Sequence, residues 1–141
     1  MAETRRAQEA VRDIAGEAEA VVKALNRKPD RQGHGQIQLT KSQIRKFLAA
    51  VNALTNKVAV YRTQSGQSKL LSDALASEVR YLKVKLVYQA ARNRGTVGDL
   101  AEKAQLKERI DQIGADMKRY EEFAHFMEAL VAYHKFYGGR D

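Results

Sequence analysis

From Leu106 to His134, apolar residues recur at alternating steps of four and three. The series is Leu106, Ile110, Ile113, Met117, Tyr120, Ala124, Met127, Val131 and His134. A stripe with this period covers one side of a helix, and it must be buried against other helices. Gly114 sits inside the stripe and marks a kink or a split. Near the end a second stripe joins the first: Phe123, Phe126, Leu130, Tyr133 and Tyr137. The last helix is then apolar over much of its circumference. That suits the central element of a bundle, or one that reaches into a partner chain. Gly138-Gly139 supplies a fitting stop.

The rest of the chain reads the same way. It has one proline, Pro29, in 141 residues, and proline is the residue that most reliably breaks helices. Val11, Ile14, Ala18, Val21 and Leu25 form the stripe of an N-terminal helix from about Thr4 to Arg27, within residues 1–27. Residues 28–38 hold Pro29, Gly33 and Gly35 and read as a mobile loop. Thr40 and Gln43 have capping-box spacing, with Leu39 and Ile44 placed as a hydrophobic staple. They open a second helix whose core stripe is Ile44, Phe47, Leu48, Val51, Leu54, Val58 and Tyr61, ending near Gln64. A third helix is expected from about Lys69 to Asn93, buried through Leu71, Leu75, Val79, Leu82 and Leu86. Thr96 is placed to cap the next segment, with Asp99 three residues on. No segment alternates with period two for long enough to be a strand. The expected fold is all-α: a compact bundle of about five helices with a long C-terminal helical region, forming one domain over 1–141 with its main bundle at 39–141.

Charge is distributed unevenly along these helices. Between Leu39 and Gly95 there are eleven Lys or Arg and only two acids, Asp73 and Glu78. That segment carries +9 of a chain total of +8, while residues 1–38 carry +1 and residues 96–141 carry −2. A basic face of this size repels itself, and a polyanion relieves the repulsion. On the second helix Lys41, Arg45 and Asn52 share one polar face, and Lys46, Ala50, Ala53 and Lys57 an adjacent one. On the third, Tyr81, Lys85, Tyr88 and Arg92 share a strip, with Arg80 and Lys83 alongside. Lys and Arg can bind phosphate, and tyrosines beside them can stack on bases or sugars. Such contacts set register and affinity rather than sequence choice. A solvated face of snorkelling side chains is the plainer reading of any single one of these residues.

Little in the chain suggests catalysis. It has no cysteine, so a disulfide scaffold, a thiolate metal site and a cysteine nucleophile are excluded. His34 lies in the glycine-containing loop. His125 and His134 are nine residues apart on one helix and do not have metal-ligand spacing. His134 falls on the seam and reads as a hydrogen-bonded core residue, His125 as a surface one. No Walker loop, dinucleotide fingerprint or EF-hand pattern is present. No catalytic residue, metal, cofactor or small-molecule substrate is expected. No apolar run is long enough for a membrane span, and the N-terminus lacks a signal-peptide core. A cytoplasmic protein without membrane contact is the expectation.

Three blocks resemble one family. They are Leu39 to Phe47 (LTKSQIRKF), Tyr81 to Arg92 (YLKVKLVYQAAR) and Phe126 to Gly139 (FMEALVAYHKFYGG), the last being the most specific. In this order they resemble the small subunit of the type III-A CRISPR effector, the Csm complex. The resemblance implies a non-catalytic helical bundle in an antiviral ribonucleoprotein. Several copies would stack as an inner filament beside the guide RNA and its paired target RNA. The small subunit would hold the backbone, while base pairing reads sequence and other subunits carry the chemistry. The RNA-contact candidates are then Lys41, Arg45, Lys46, Lys57, Arg62, Lys83, Lys85 and Arg92. The expected partners are target and guide RNA, other subunits of the complex and further copies of this chain. Glu108, Asp111, Asp116, Glu121 and Glu122 are placed to meet the basic patch of a neighbouring copy. Two other readings stay open: a helical scaffold that binds only protein, and a general double-stranded DNA binder. The Gln64–Ser68 link gives no clear helix-turn-helix signature for the second.

Overall fold

The computed structural model describes residues 13–28, 35–66 and 68–140, apart from the side chains of Gly139 and Arg140. Among these, six helices surround one continuous apolar core. They are α1 (Ile14–Ala24), α2 (Lys41–Gln64), α3 (Asp73–Arg92), α4 (Val97–Lys103), α5 (Leu106–Ile113) and α6 (Met117–Phe136). Two short strands, β1 (Ile37–Thr40) and β2 (Gly139–Arg140), pair in parallel. The all-α expectation holds, with this small strand pair as an addition.

Helix α6 is the centre of the bundle. It packs mainly on α1 and α2, and also on α5. Both of its apolar stripes are used: Met117, Tyr120, Phe123, Ala124, Phe126, Met127, Leu130 and His134 are buried. Val131, Tyr133 and Tyr137 are only half-buried. Gly114 splits the long C-terminal repeat. It takes φ +56° and ψ −118°, ending α5, and Asp116 restarts the helix by accepting from the Arg119 backbone N–H at 2.9 Å.

The polar groups buried with α6 are satisfied. Tyr120 Oη donates to the Val51 carbonyl at 2.9 Å and lies 2.9 Å from Thr55 Oγ1. Burial pushes its phenol up to about 12. His134 Nε2 is 2.6 Å from the Leu39 carbonyl. A carbonyl can only accept, so Nε2 carries the proton. Burial is the main reason the His134 pKa is lowered from 6.5, and the charges of Lys41 and Arg45 act in the same direction. His134 is therefore the hydrogen-bonded core residue expected, and His125 is exposed.

The start of α2 is also as expected. Gln43 N–H donates to Thr40 Oγ1 at 3.1 Å, and the Gln43 side chain accepts from Thr40 N–H at 3.0 Å. Leu39 and Ile44 are both buried, completing the staple.

Elsewhere long-range pairing shifts the boundaries. Asp13 caps α1 by accepting from Gly16 N–H at 2.9 Å. Val11 and the rest of the segment from Thr4 to residue 12 lie outside the described residues. Helix α1 ends at Ala24 rather than Arg27, because Leu25 turns extended and Asn26–Lys28 pairs with Gln36–Gln38. Of the segment expected to be a mobile loop, residues 29–34 lie outside the described residues. Its last part is instead fixed by backbone bonds, with Ile37 buried and starting β1. Helix α3 starts at Asp73, not Lys69. Leu71 N–H donates to the Ala115 carbonyl at 2.8 Å and Met117 N–H to the Lys69 carbonyl at 3.0 Å, which holds Lys69–Leu71 extended. Ser72 then caps α3 through Leu75 N–H at 3.2 Å. Thr96 makes no side-chain cap. Asp99 is buried instead. It accepts from Asn26 N–H at 2.8 Å and pairs with Lys103 at 2.8 Å, tying α4 to the end of α1.

Candidate nucleic-acid interface

Helix α2 buries Ile44, Phe47, Val51, Leu54 and Val58, half-buries Leu48, Ala50 and Tyr61 beside them, and leaves Arg45, Lys46, Lys57 and Arg62 facing outward. Those outward positions contain no acid, as read from the sequence. The structure sorts the eight candidate cations into four places.

The first is the start of α2, where Lys41 and Arg45 stand close enough to His134 to act on its charge. Arg45 is exposed, as is Lys46 one residue on.

The second is a groove between α2 and α3. Lys46, Ala50, Ala53 and Lys57 follow one another at helical spacing, so two alanines separate two lysines. Across from them α3 offers Ser77, Glu78, Tyr81 and Lys85. Small side chains on both helices leave a cavity of about 270 Å³, lined by Ala50, Ala53, Leu54, Lys57, Tyr81 and Lys85 among others. Lys57 Nζ lies 2.7 Å from Glu78 at one side of the groove. Lys85 Nζ stands 5.7 Å from the centroid of the Tyr81 ring. The strip continues along α3 to Arg92, whose guanidinium lies 5.6 Å from the Tyr88 ring and donates to Tyr88 Oη at 3.3 Å. Both tyrosines are open to solvent, Tyr81 at 58% and Tyr88 at 61%.

The third and fourth places are ion pairs between helices. Arg62 pairs with Glu121 of α6 at 2.7 Å, and Lys83 with Asp111 of α5 at 2.8 Å. Both pairs are largely exposed, and such pairs contribute little to stability. They do hold their cations on the flanks of α5 and α6, away from the α2–α3 groove. The same pairs use acids expected to meet a neighbouring copy. Asp111 and Glu121 are engaged within the chain, and Asp116 caps α6. Glu108 and Glu122 are left for that role.

Sequence reasoning missed a second cluster of cations. Arg62, Lys69 and Lys118 line a cavity of about 660 Å³ beside Asp116 and Glu121, where the α2–α3 link crosses the start of α6. Lys118 is far from Lys69 in sequence, and only the Leu70–Asp116 bridge brings them together. No local pattern could have shown this.

Among the described residues no group of three His, Asp or Glu is arranged to hold a metal ion. No described helix is long and apolar enough to cross a membrane.

Comparison with known proteins agrees with the family that the three sequence blocks resemble. The family model for Csm2 of type III-A matches residues 8–140. A Csm2 protein of a CRISPR system from Streptococcus thermophilus is 42% identical over 112 residues, covering 79% of this chain and 84% of that one. The Csm2 protein of Enterococcus italicus is 31% identical over 126 residues, covering 85% and 86%. That of Mycobacterium tuberculosis is 31% identical over 104 residues, covering 74% and 79%. The similarity runs through the basic helices and the central α6 alike, and the chain belongs to the type III-A Csm2 family, the small subunit of the CRISPR Csm complex.

Proposed function

We propose that this chain is a non-catalytic RNA-binding subunit of its complex, holding target and guide RNA by the backbone in the cytoplasm. Copies stack as an inner filament, and base pairing to the guide selects sequence. The observation that carries this reading is the α2–α3 surface, where the exposed Lys46, Lys57, Lys85 and Arg92 outnumber the two acids of these helices, Asp73 and Glu78. Lys41 and Arg45 extend that surface at the start of α2. Arg62 and Lys83, tied to Glu121 and Asp111, are secondary contacts that phosphate must win from a carboxylate. Glu108 on α5 and Glu122 on α6 suit contact with a neighbouring copy, because unlike surfaces joined head to tail give open filaments. Other subunits supply any cleavage chemistry.

The test is the triple variant Lys46→Ala, Lys57→Ala, Lys85→Ala. All three side chains are exposed, so the helical circular dichroism should match wild type. Affinity for single-stranded RNA should fall by at least about tenfold, given the counterions three phosphate contacts release. Unchanged affinity with an intact fold would mean that this face is not the RNA surface. A protein-only scaffold has one observation in its favour, the exposed Val84 and Val87 on α3. It predicts that the triple variant still binds RNA as weakly or as strongly as wild type.

A further inference from the structure

Phosphate contacts account for the lysines of the α2–α3 groove but not for its shape. A surface that only tracks a backbone needs cations, and an apolar recess with an exposed ring adds nothing to such contacts. Here the cations flank a recess whose floor is Leu54 and Leu82, whose shelf is Ala50 and Ala53, and whose open side carries Tyr81. Tyr81 is 58% exposed although it lies beside this apolar floor. A tyrosine at a core edge normally buries its ring and leaves the hydroxyl wet. The recess measures about 270 Å³, just below the roughly 300–1,000 Å³ typical of small-molecule pockets. That is suited to one planar group, not to a helix of a partner protein. The charge around it is complementary to a nucleotide chain. Lys57 stands on α2, Lys85 on α3, and Lys46 lies one turn before Ala50 on the same face. Aromatic rings beside cations are how proteins hold unpaired nucleotides without reading sequence, because every base has a stackable face.

We infer that the α2–α3 groove is a stacking slot for a single unpaired RNA base, held against Tyr81 with Lys57 and Lys85 on the flanking phosphates. This rests on the RNA-binding reading above and adds that the surface distinguishes an unstacked nucleotide from a closed duplex. Ser77 and Glu78 line the same recess and are placed to meet the base edge. Lys57 Nζ already pairs with Glu78 at 2.7 Å, so an arriving phosphate competes with that carboxylate.

The test measures binding of the full chain to two labelled strands of equal length across a salt series. One is a single-stranded oligoadenylate, and the other is the same ribose-phosphate chain without bases. The variants are Tyr81→Ala, Tyr81→Phe and Lys85→Ala. Stacking predicts that Tyr81→Ala weakens binding to the oligoadenylate by roughly tenfold and leaves the salt slope unchanged. It should have no effect on the abasic strand, and Tyr81→Phe should bind both strands as wild type does. Lys85→Ala should instead lower the slope by about 0.7 on both strands. Equal loss on the two strands for Tyr81→Ala, or no loss on either, would overturn the slot and leave backbone binding standing. If wild type bound neither strand at any salt, the RNA-binding reading would itself be overturned.

Discussion

Truncating Phe126 to alanine should remove a large part of the stability of this bundle. The ring is 1% exposed on the central helix α6. Its face lies 3.8 Å from the Arg109 guanidinium of α5, which is held in place by the Ala104 carbonyl at 2.7 Å and by Glu17 of α1 at 3.4 Å. Phe126 therefore joins α1, α5 and α6. Loss of a buried phenyl costs about 3–5 kcal/mol, and a cation over an aromatic ring adds about 0.5–2 kcal/mol. One feature moderates the sum. Phe126 borders an open cleft of about 460 Å³ shared with Ile14, Ile113 and Phe123, so water can enter the space left behind. A loss of about 4 kcal/mol is the result. At this chain length it corresponds to a fall of roughly 12–20 °C in the melting temperature. Phe126→Leu keeps much of the volume but loses the ring under Arg109, so it should cost about 1–3 kcal/mol, less than the alanine variant. Urea unfolding followed by circular dichroism measures both. A loss below about 1.5 kcal/mol for Phe126→Ala would show that the α1–α5–α6 junction does not depend on this ring.

His134 makes stability pH-dependent. Its folded pKa lies below the ordinary 6.5, so the unfolded chain binds the extra proton first. Its contribution is fully present above about pH 6.5 and is lost as pH falls through the lower folded value. Unfolding measured between about pH 7.5 and 5 should show this decline in wild type and a flatter profile in His134→Gln, and matching profiles would refute it. Gly114→Ala should cost about 1–3 kcal/mol in thermal unfolding, because φ +56° with ψ −118° is strained for any side chain although the space around it is open. A neutral result would mean that the α5–α6 break relaxes without cost.

Local signals survived into the structure where they were self-contained. The capping box at Thr40 needs only four residues, and the stripes of α2 and α6 need only helical period. His134 could be assigned to the core because it fell on a seam with apolar neighbours at every step. Signals failed where the deciding contact came from far away in sequence. Lys69–Leu71 continues the helical pattern of α3, yet it is extended because Ala115–Met117 offers it a bonding edge. Ile37–Thr40 is too short to read as a strand and is made one by Gly139–Arg140. The same limit applies to the candidate site. Lys57, Arg62 and Lys83 were visible as cations, while their partners Glu78, Glu121 and Asp111 lie on other helices. The groove between the alanines of α2 and Tyr81 of α3 exists only once the two helices are packed.

The central claim is that the basic helices grip RNA by its phosphates. The most direct test is the affinity of the purified chain for single-stranded RNA across a salt series, beside a duplex DNA of the same length. With about four phosphate contacts, log affinity should fall against log salt with a slope near −3 on RNA, without sequence preference. A flat dependence, or tighter binding to the duplex DNA, would contradict the account.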